Sequence, residues 1–168
     1  EVAELLTVGD LDLQTAALNV LSRRPGWTAE LVTSVGKLLD EPKLDETQQS
    51  LIVSSLVAFA QQPAVQQLLA ERLQDEKITP AAQRLLLEAV SQSRVRSLPA
   101  PLKSGIARAL QNTDVTIALN ATAAAATLPG EFAAELKSLA TDEKRAAELR
   151  LAALAAVSAG EALSAAEF

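Results

Sequence analysis

The sequence contains no histidine, cysteine, methionine or tyrosine. Without histidine and cysteine the chain lacks His/Cys zinc ligands, disulfides, thiol nucleophiles and imidazole bases. Aromatic residues make up only 2% of the chain, which is too few for a base-stacking platform or an aromatic ligand cage. These absences predict a protein that is not an enzyme and that has no catalytic residue, no cofactor site and no metal site.

Long apolar runs and excess positive charge are also missing. No uninterrupted apolar run reaches the roughly 18 residues that a membrane span needs, so no span is predicted. The net charge of −6 argues against general nucleic-acid binding, which depends on Lys and Arg at phosphates. The charge is uneven, however. Residues 77–108 carry six basic side chains and one acidic one, whereas the segments on either side are net acidic. This segment is named the basic waist.

The chain is rich in Ala, Leu and Val, and hydrophobic residues reach 49%. Ala and Leu lose little side-chain freedom in a helix, so this composition favours helices with an aliphatic core. A length of 168 residues is enough for one domain with a substantial core. Because the chain starts at Glu1 without a methionine, we expect a single repeat domain over residues 1–168 that is a slice of a longer protein.

Helix starts and stops recur along the whole chain. Asp10 or Asp12 can cap a helix that runs to about Arg23, and Thr28 can cap the next one. Asp45, with Gln48 three residues later, has the spacing of a capping box. Further starts or breaks are predicted at Pro63, Thr79–Pro80, Pro99–Pro101, Asn112–Asp114, Pro129–Gly130, Thr141–Asp142 and Gly160. The result is about nine helices of ordinary length with short turns.

One apolar spacing recurs in the second helix of each predicted pair, at a helical period. The leading members are 34, 37 and 30 residues apart, as stacked helical repeats require. The series comprises Leu31, Val35 and Leu38; Val65, Leu69 and Leu73; Leu102, Ile106 and Leu110; and Phe132, Leu136 and Leu139, with Phe168 a further 36 residues on.

The first helix of each pair is apolar around more than half its circumference, as in residues 51–60, 121–126 and 151–157. This pattern predicts that these helices are buried on several sides. The predicted fold class is therefore all-α, an α-solenoid of about four to five antiparallel helix pairs. A compact helical bundle is the alternative. Variable repeat lengths and prolines at helix starts favour the stack.

These segments resemble HEAT repeats, whose first helix tends to read Asp, a gap, then Val/Leu-Arg-x-x-Ala-Leu-x-Ala-Leu. Asp142 followed by residues 149–157 matches best, and residues 10–21 are similar with Gln14 in the Arg position. Residues 114–121 are a weaker match. The resemblance implies stacked helix pairs that act as a scaffold for protein–protein interaction or as a spacer.

The residue pattern also resembles that of helical-repeat regions in large exported bacterial proteins. Those proteins join a sugar-dehydrogenase-like propeller to a cytochrome c domain. Residues 98–102 and 148–154 carry this likeness. It implies an accessory domain in a periplasmic or exported protein. No Cys-x-x-Cys-His occurs here, so neither redox function can be assigned to this chain.

The basic waist is the one candidate site. Arg94, Arg96, Lys103 and Arg108 would together form an anion-attracting patch that faces an acidic protein partner or a neighbouring domain. In the alternative interpretation these side chains lie over apolar helix flanks with their heads in water. Two further alternatives are a HEAT-like nucleic-acid-processing domain and a designed repeat, although unequal repeat lengths argue against design. Uncapped ends also predict self-association.

Overall fold

A computed structural model describes residues 13, 16, 28–41, 43–93, 95, 97–128 and 130–165, the last six of these without side chains. The described residues form eight α-helices and no strand. Their bounds are α1 Thr28–Leu39, α2 Glu46–Ala58, α3 Pro63–Gln74, α4 Pro80–Gln92, α5 Ala100–Leu110, α6 Val115–Ala126, α7 Ala133–Thr141 and α8 Ala147–Ala165. The helix predicted from Asp10 or Asp12 to Arg23 lies outside them, except that residues 13 and 16 are helical.

Local sequence signals set the starts of α2, α3, α4 and α6. The Asp45 side chain accepts a hydrogen bond from the Gln48 amide, and the Gln48 side chain accepts one from the Asp45 amide, so the predicted capping box is confirmed. The Thr79 side chain caps α4 by accepting from the Ala82 amide, and the Asp114 side chain caps α6 by accepting from the amides of Thr116 and Ile117. Pro63 is the first residue of α3, where its missing N–H costs nothing.

The helices stack in two rows. The odd-numbered helices form one row, in which α1 contacts α3, α3 contacts α5, and α5 contacts α7. The even-numbered helices form the other row, from α2 through α4 and α6 to α8. Each odd helix also packs on the even helix that follows it in the chain. This arrangement confirms the predicted all-α, solenoid-like stack. The described residues contain four helix pairs, in each of which the helix with the apolar series comes first and not second as predicted.

The core lies between and within the two rows. Every member of the predicted apolar series from Leu31 to Leu139 is at most 5% exposed, and Val65, Leu73, Leu102, Ile106 and Leu110 are fully buried. Phe168 lies outside the described residues. Helix α6 contributes an Ala-rich surface in which Ala118, Ala121, Ala124 and Ala125 are fully buried. Small side chains of this kind let neighbouring helices approach closely.

Two glycines are required by the packing or by a turn. A Cβ built on Gly105 of α5 would lie 2.9 Å from the Leu73 Cβ of α3, closer than two such atoms can approach. Gly105 therefore sets the distance between these two helices. Gly130, in the turn before α7, has φ +91°, a conformation that favours glycine.

Two predictions at the end of the stack are wrong. The predicted break at Gly160 does not occur, because α8 continues to Ala165. A lone glycine costs a helix about 1 kcal/mol, and no proline follows it to enforce a stop. Residues 151–157 are also not buried on several sides, since Leu151 is 66% exposed and Leu154 is 53% exposed. Within the described residues no even-row helix packs beyond α8 to cover them.

Candidate functional site

Two of the four residues of the predicted basic patch lie in the described part of the chain, and both make contacts within the chain. Lys103 Nζ lies 3.1 Å from Glu131 Oε1, which joins α5 to the turn before α7. Arg108 donates a hydrogen bond to the carbonyl oxygen of Leu73 in the last turn of α3. Arg94 and Arg96 lie outside the described residues. The patch therefore stays a prediction, and two of its four cations already hold neighbouring elements together.

The Arg108 contact belongs to a repeated set that links successive odd-row helices. Arg72, in the last turn of α3, donates to the Gly36 carbonyl of α1 at 3.2 Å. Arg145, after α7, donates to the carbonyls of Leu110 at 3.0 Å and Asn112 at 2.7 Å, at the end of α5. These contacts, with that of Arg108, are named the arginine ladder. Each one places a cation at a helix C-terminus, where carbonyls lack partners and the dipole is negative.

Arg72 is the ladder member with the most contacts. Its guanidinium also holds the Asp40 carboxylate through two hydrogen bonds of 2.6 Å and 2.9 Å, in the fork geometry that arginine favours. The side-chain hydrogen bond to Asp40 raises the pKa of Arg72 further above its usual value, against an opposing effect of burial. Arg72 is therefore charged at any physiological pH.

Sequence reasoning missed the ladder, although a signal for it was present. Arg72, Arg108 and Arg145 are 36 and 37 residues apart, which is the repeat length itself. A cation that recurs at the repeat length has the same neighbours in every repeat, so it indicates a structural contact. Grouping Arg108 with its neighbours along the chain instead placed it in a binding patch.

A groove of about 520 Å³ lies between α1 and α3 on the odd row. Val32 and the buried Leu68 supply its apolar part. Charged groups line the rest, namely Lys37, Glu71, Asp75 and the Arg72–Asp40 pair. The exposed Thr33 also lines it. An apolar strip between charges of both signs suits an extended peptide or a loop better than a small apolar ligand.

A second groove of about 350 Å³ lies between α2 and α4 on the even row. The nearly buried Val53 and Leu85 contribute its apolar residues. Gln49, Ser50, Ser54, Glu88 and Gln92 line its polar part. Both grooves therefore arise in the same way, where two successive helices of one row lie side by side.

The described residues lack the features of two other kinds of site. No cluster of three or more acidic side chains there is arranged to hold a metal ion. No helix in the same part of the chain is both long enough and apolar enough to cross a bilayer.

Comparisons with known proteins show the fold and nothing more specific. No family model matches the chain, and no curated protein matches it. Among solved structures, the chain is similar to the crystal structure of an engineered protein from the Northeast Structural Genomics Consortium. The TM-score is 0.52 at 17% sequence identity, over 96% of this chain and 78% of that one.

Proposed function

We propose that the chain is a non-catalytic, HEAT-like helical-repeat module that binds a protein partner or spaces neighbouring domains of a larger protein. The groove between α1 and α3 is the observation that carries this proposal. It combines an apolar strip with charges of both signs, as a protein-binding surface does. The Arg72–Asp40 pair fixes its geometry by tying the two helices together.

Peptide selection tests the binding half of the proposal. We expect a displayed peptide library to yield ligands for the whole chain that compete for the α1–α3 groove. Thr33→Arg, which fills the groove from an exposed position, should weaken such ligands at least about tenfold. Thr141→Arg is the matched control. Thr141 is also exposed on a helix and bonds the carbonyl four residues earlier, as Thr33 does.

Ligands that bind both variants equally would contradict the groove as the binding surface. If the library yields no ligand that depends on the groove, the binding half of the proposal is contradicted and only the spacer role remains. The accessory-domain hypothesis stays a prediction from the sequence. The flanking sequence of the parent protein tests it, because a propeller or a haem motif would be evident there.

The basic waist is a second candidate surface, for an acidic protein partner. Arg94→Glu with Arg96→Glu is the sharper test, because Lys103 and Arg108 have internal contacts whose loss would confuse the result. We expect the double variant to abolish capture of acidic ligands at low salt while the fold is retained. Unchanged capture would contradict the patch. Duplex DNA binding at moderate salt would instead favour the nucleic-acid alternative.

A further inference from the structure

The groove between α1 and α3 lies where two odd-row helices pack less closely than the next two. In the apolar series Leu69 of α3 corresponds to Ile106 of α5, so the residues before them, Leu68 and Gly105, also correspond. Gly105 has no Cβ, and a Cβ placed there would lie 2.9 Å from the Leu73 Cβ, so α5 approaches α3 closely. At the matching position of α3, a leucine side chain lines the groove instead. The opening therefore lies between two described helices and has a cause in the sequence.

The two walls of this groove differ in charge. Asp40 of α1 is neutralised by Arg72, which donates to both of its oxygens. On the α3 wall, Glu71 and Asp75 each accept one hydrogen bond from an uncharged group. Neither of them forms an ion pair within the described part of the chain. Lys37 is the remaining lining cation and belongs to α1, so the α3 wall has two negative charges without a partner.

The surroundings of Arg72 show how close these charges are. The hydrogen bond to Asp40 raises the pKa of Arg72 most, and the charges of Asp75 and Glu71 raise it further. One guanidinium thus faces three carboxylates, and the negative end of the α3 dipole lies beside them. The potential there favours a second cation. Among the described residues no group of three acidic side chains could hold a metal ion, so a lysine or arginine side chain is the cation that fits.

We propose that the α1–α3 groove binds an extended segment of a protein partner in which an aliphatic residue lies next to basic residues. The aliphatic side chain packs on Val32 and Leu68, and the basic side chains pair with Glu71 and Asp75. This inference rests on the proposed function and adds the chemistry of the ligand. The apolar strip supplies contact area, while the two carboxylates attract one sign of charge and repel the other. Exposed ion pairs are weak singly and are screened by salt, so the selectivity is greatest at low salt.

Disulfide tethering can measure such weak binding, because a short tether raises the effective concentration to about the millimolar range. The chain has no cysteine, so Thr33→Cys places a single thiol in the groove. The probes are short cysteine peptides with a leucine and two arginines, a leucine and two glutamates, or a serine and two arginines. In a thiol buffer at low salt, we expect the leucine–arginine peptide to be captured at least about fivefold more than either of the others.

Neutral variants test which carboxylates select the ligand. Glu71→Gln with Asp75→Asn, added to Thr33→Cys, should reduce the preference for arginine over glutamate to less than about twofold. Glu88→Gln with Asp142→Asn is the matched control and should keep the preference. Its two carboxylates accept the same kinds of hydrogen bond, one from a glutamine four residues away and one from the backbone amide two residues on.

The outcomes separate this inference from the proposed function. Equal capture of the arginine and glutamate peptides that contain leucine would overturn the inference and leave the groove as a binding surface. A preference for arginine that survives Glu71→Gln with Asp75→Asn would overturn it as well. Equal capture of the leucine and serine peptides would instead contradict the groove itself, and with it the binding half of the proposed function.

Discussion

At the scale of single residues, the contact between α3 and α5 depends on the absence of one methyl group. Gly105 is a poor helix former in the middle of α5, yet its missing Cβ is what lets Leu73 approach. The apolar side chains around this contact are tightly packed, since Leu73, Leu102 and Ile106 are all fully buried. Overpacking at such a point forces the two helices apart.

Gly105→Ala should therefore destabilise the protein although alanine is the better helix former. The overpacking cost of about 1–3 kcal/mol exceeds the gain of about 1 kcal/mol in helix propensity. Gly36→Ala is the control. Its new Cβ would have its nearest neighbour, an Arg72 nitrogen, at 3.7 Å, so it should be neutral or slightly stabilising. Urea unfolding of both variants measures this, and equal effects would contradict the packing argument.

The arginine ladder makes a second prediction at this scale. Arg108→Met keeps most of the aliphatic stem but removes the donor to the Leu73 carbonyl, so the end of α3 loses its partner. We expect a loss of about 1–2 kcal/mol in the free energy of unfolding, since the lost hydrogen bond involves a charged donor. Arg84→Met, an exposed arginine on α4, should change it by less than about 0.5 kcal/mol. Thermal or urea unfolding that ranks them the other way would exclude a structural role for the ladder.

At the scale of helices, α2 depends on the cap at its start. Asp45→Ala removes the acceptor for the Gln48 amide and should cost about 1 kcal/mol of stability. Ser50→Ala is the neighbouring control, because Ser50 is exposed one turn further along and makes no cap. Urea unfolding of each variant gives the comparison. Equal stability would mean that tertiary packing alone sets the start of α2.

Local signals were sufficient to predict most helices because the residues next to a helix boundary determine where it lies. Pro63, Thr79 and the Asp45–Gln48 box each act within four residues of the boundary they set. The arginine ladder was not predicted, because its donors and acceptors lie 33 to 36 residues apart and meet only after the rows stack. The end of α8 was predicted wrongly because of a local signal and not a distant one. Gly160 was interpreted as a helix stop, although the residues around it are Ala-rich and continue the helix.

At the scale of the whole molecule, a stack of this kind has interior and terminal helices that differ in the number of neighbours. Among the described residues, helix α4 packs between α2 and α6 in the even row, while α8 packs on α6 alone within that row. In repeat proteins stability is roughly a sum of local terms and nearest-neighbour interfaces. Opening of α8 should therefore cost less free energy than opening of α4.

Two core truncations test this difference. Leu87→Ala in α4 and Leu149→Ala in α8 each remove a side chain that is at most 1% exposed, at a cost of about 2–5 kcal/mol. We expect Leu87→Ala to lower hydrogen-exchange protection in both rows, since α4 connects the two halves of the stack. Leu149→Ala should lower protection in α8 first and leave α2 to α4 protected. Exchange measured helix by helix decides the matter, and the same loss everywhere in both variants would mean that the stack unfolds as one cooperative unit.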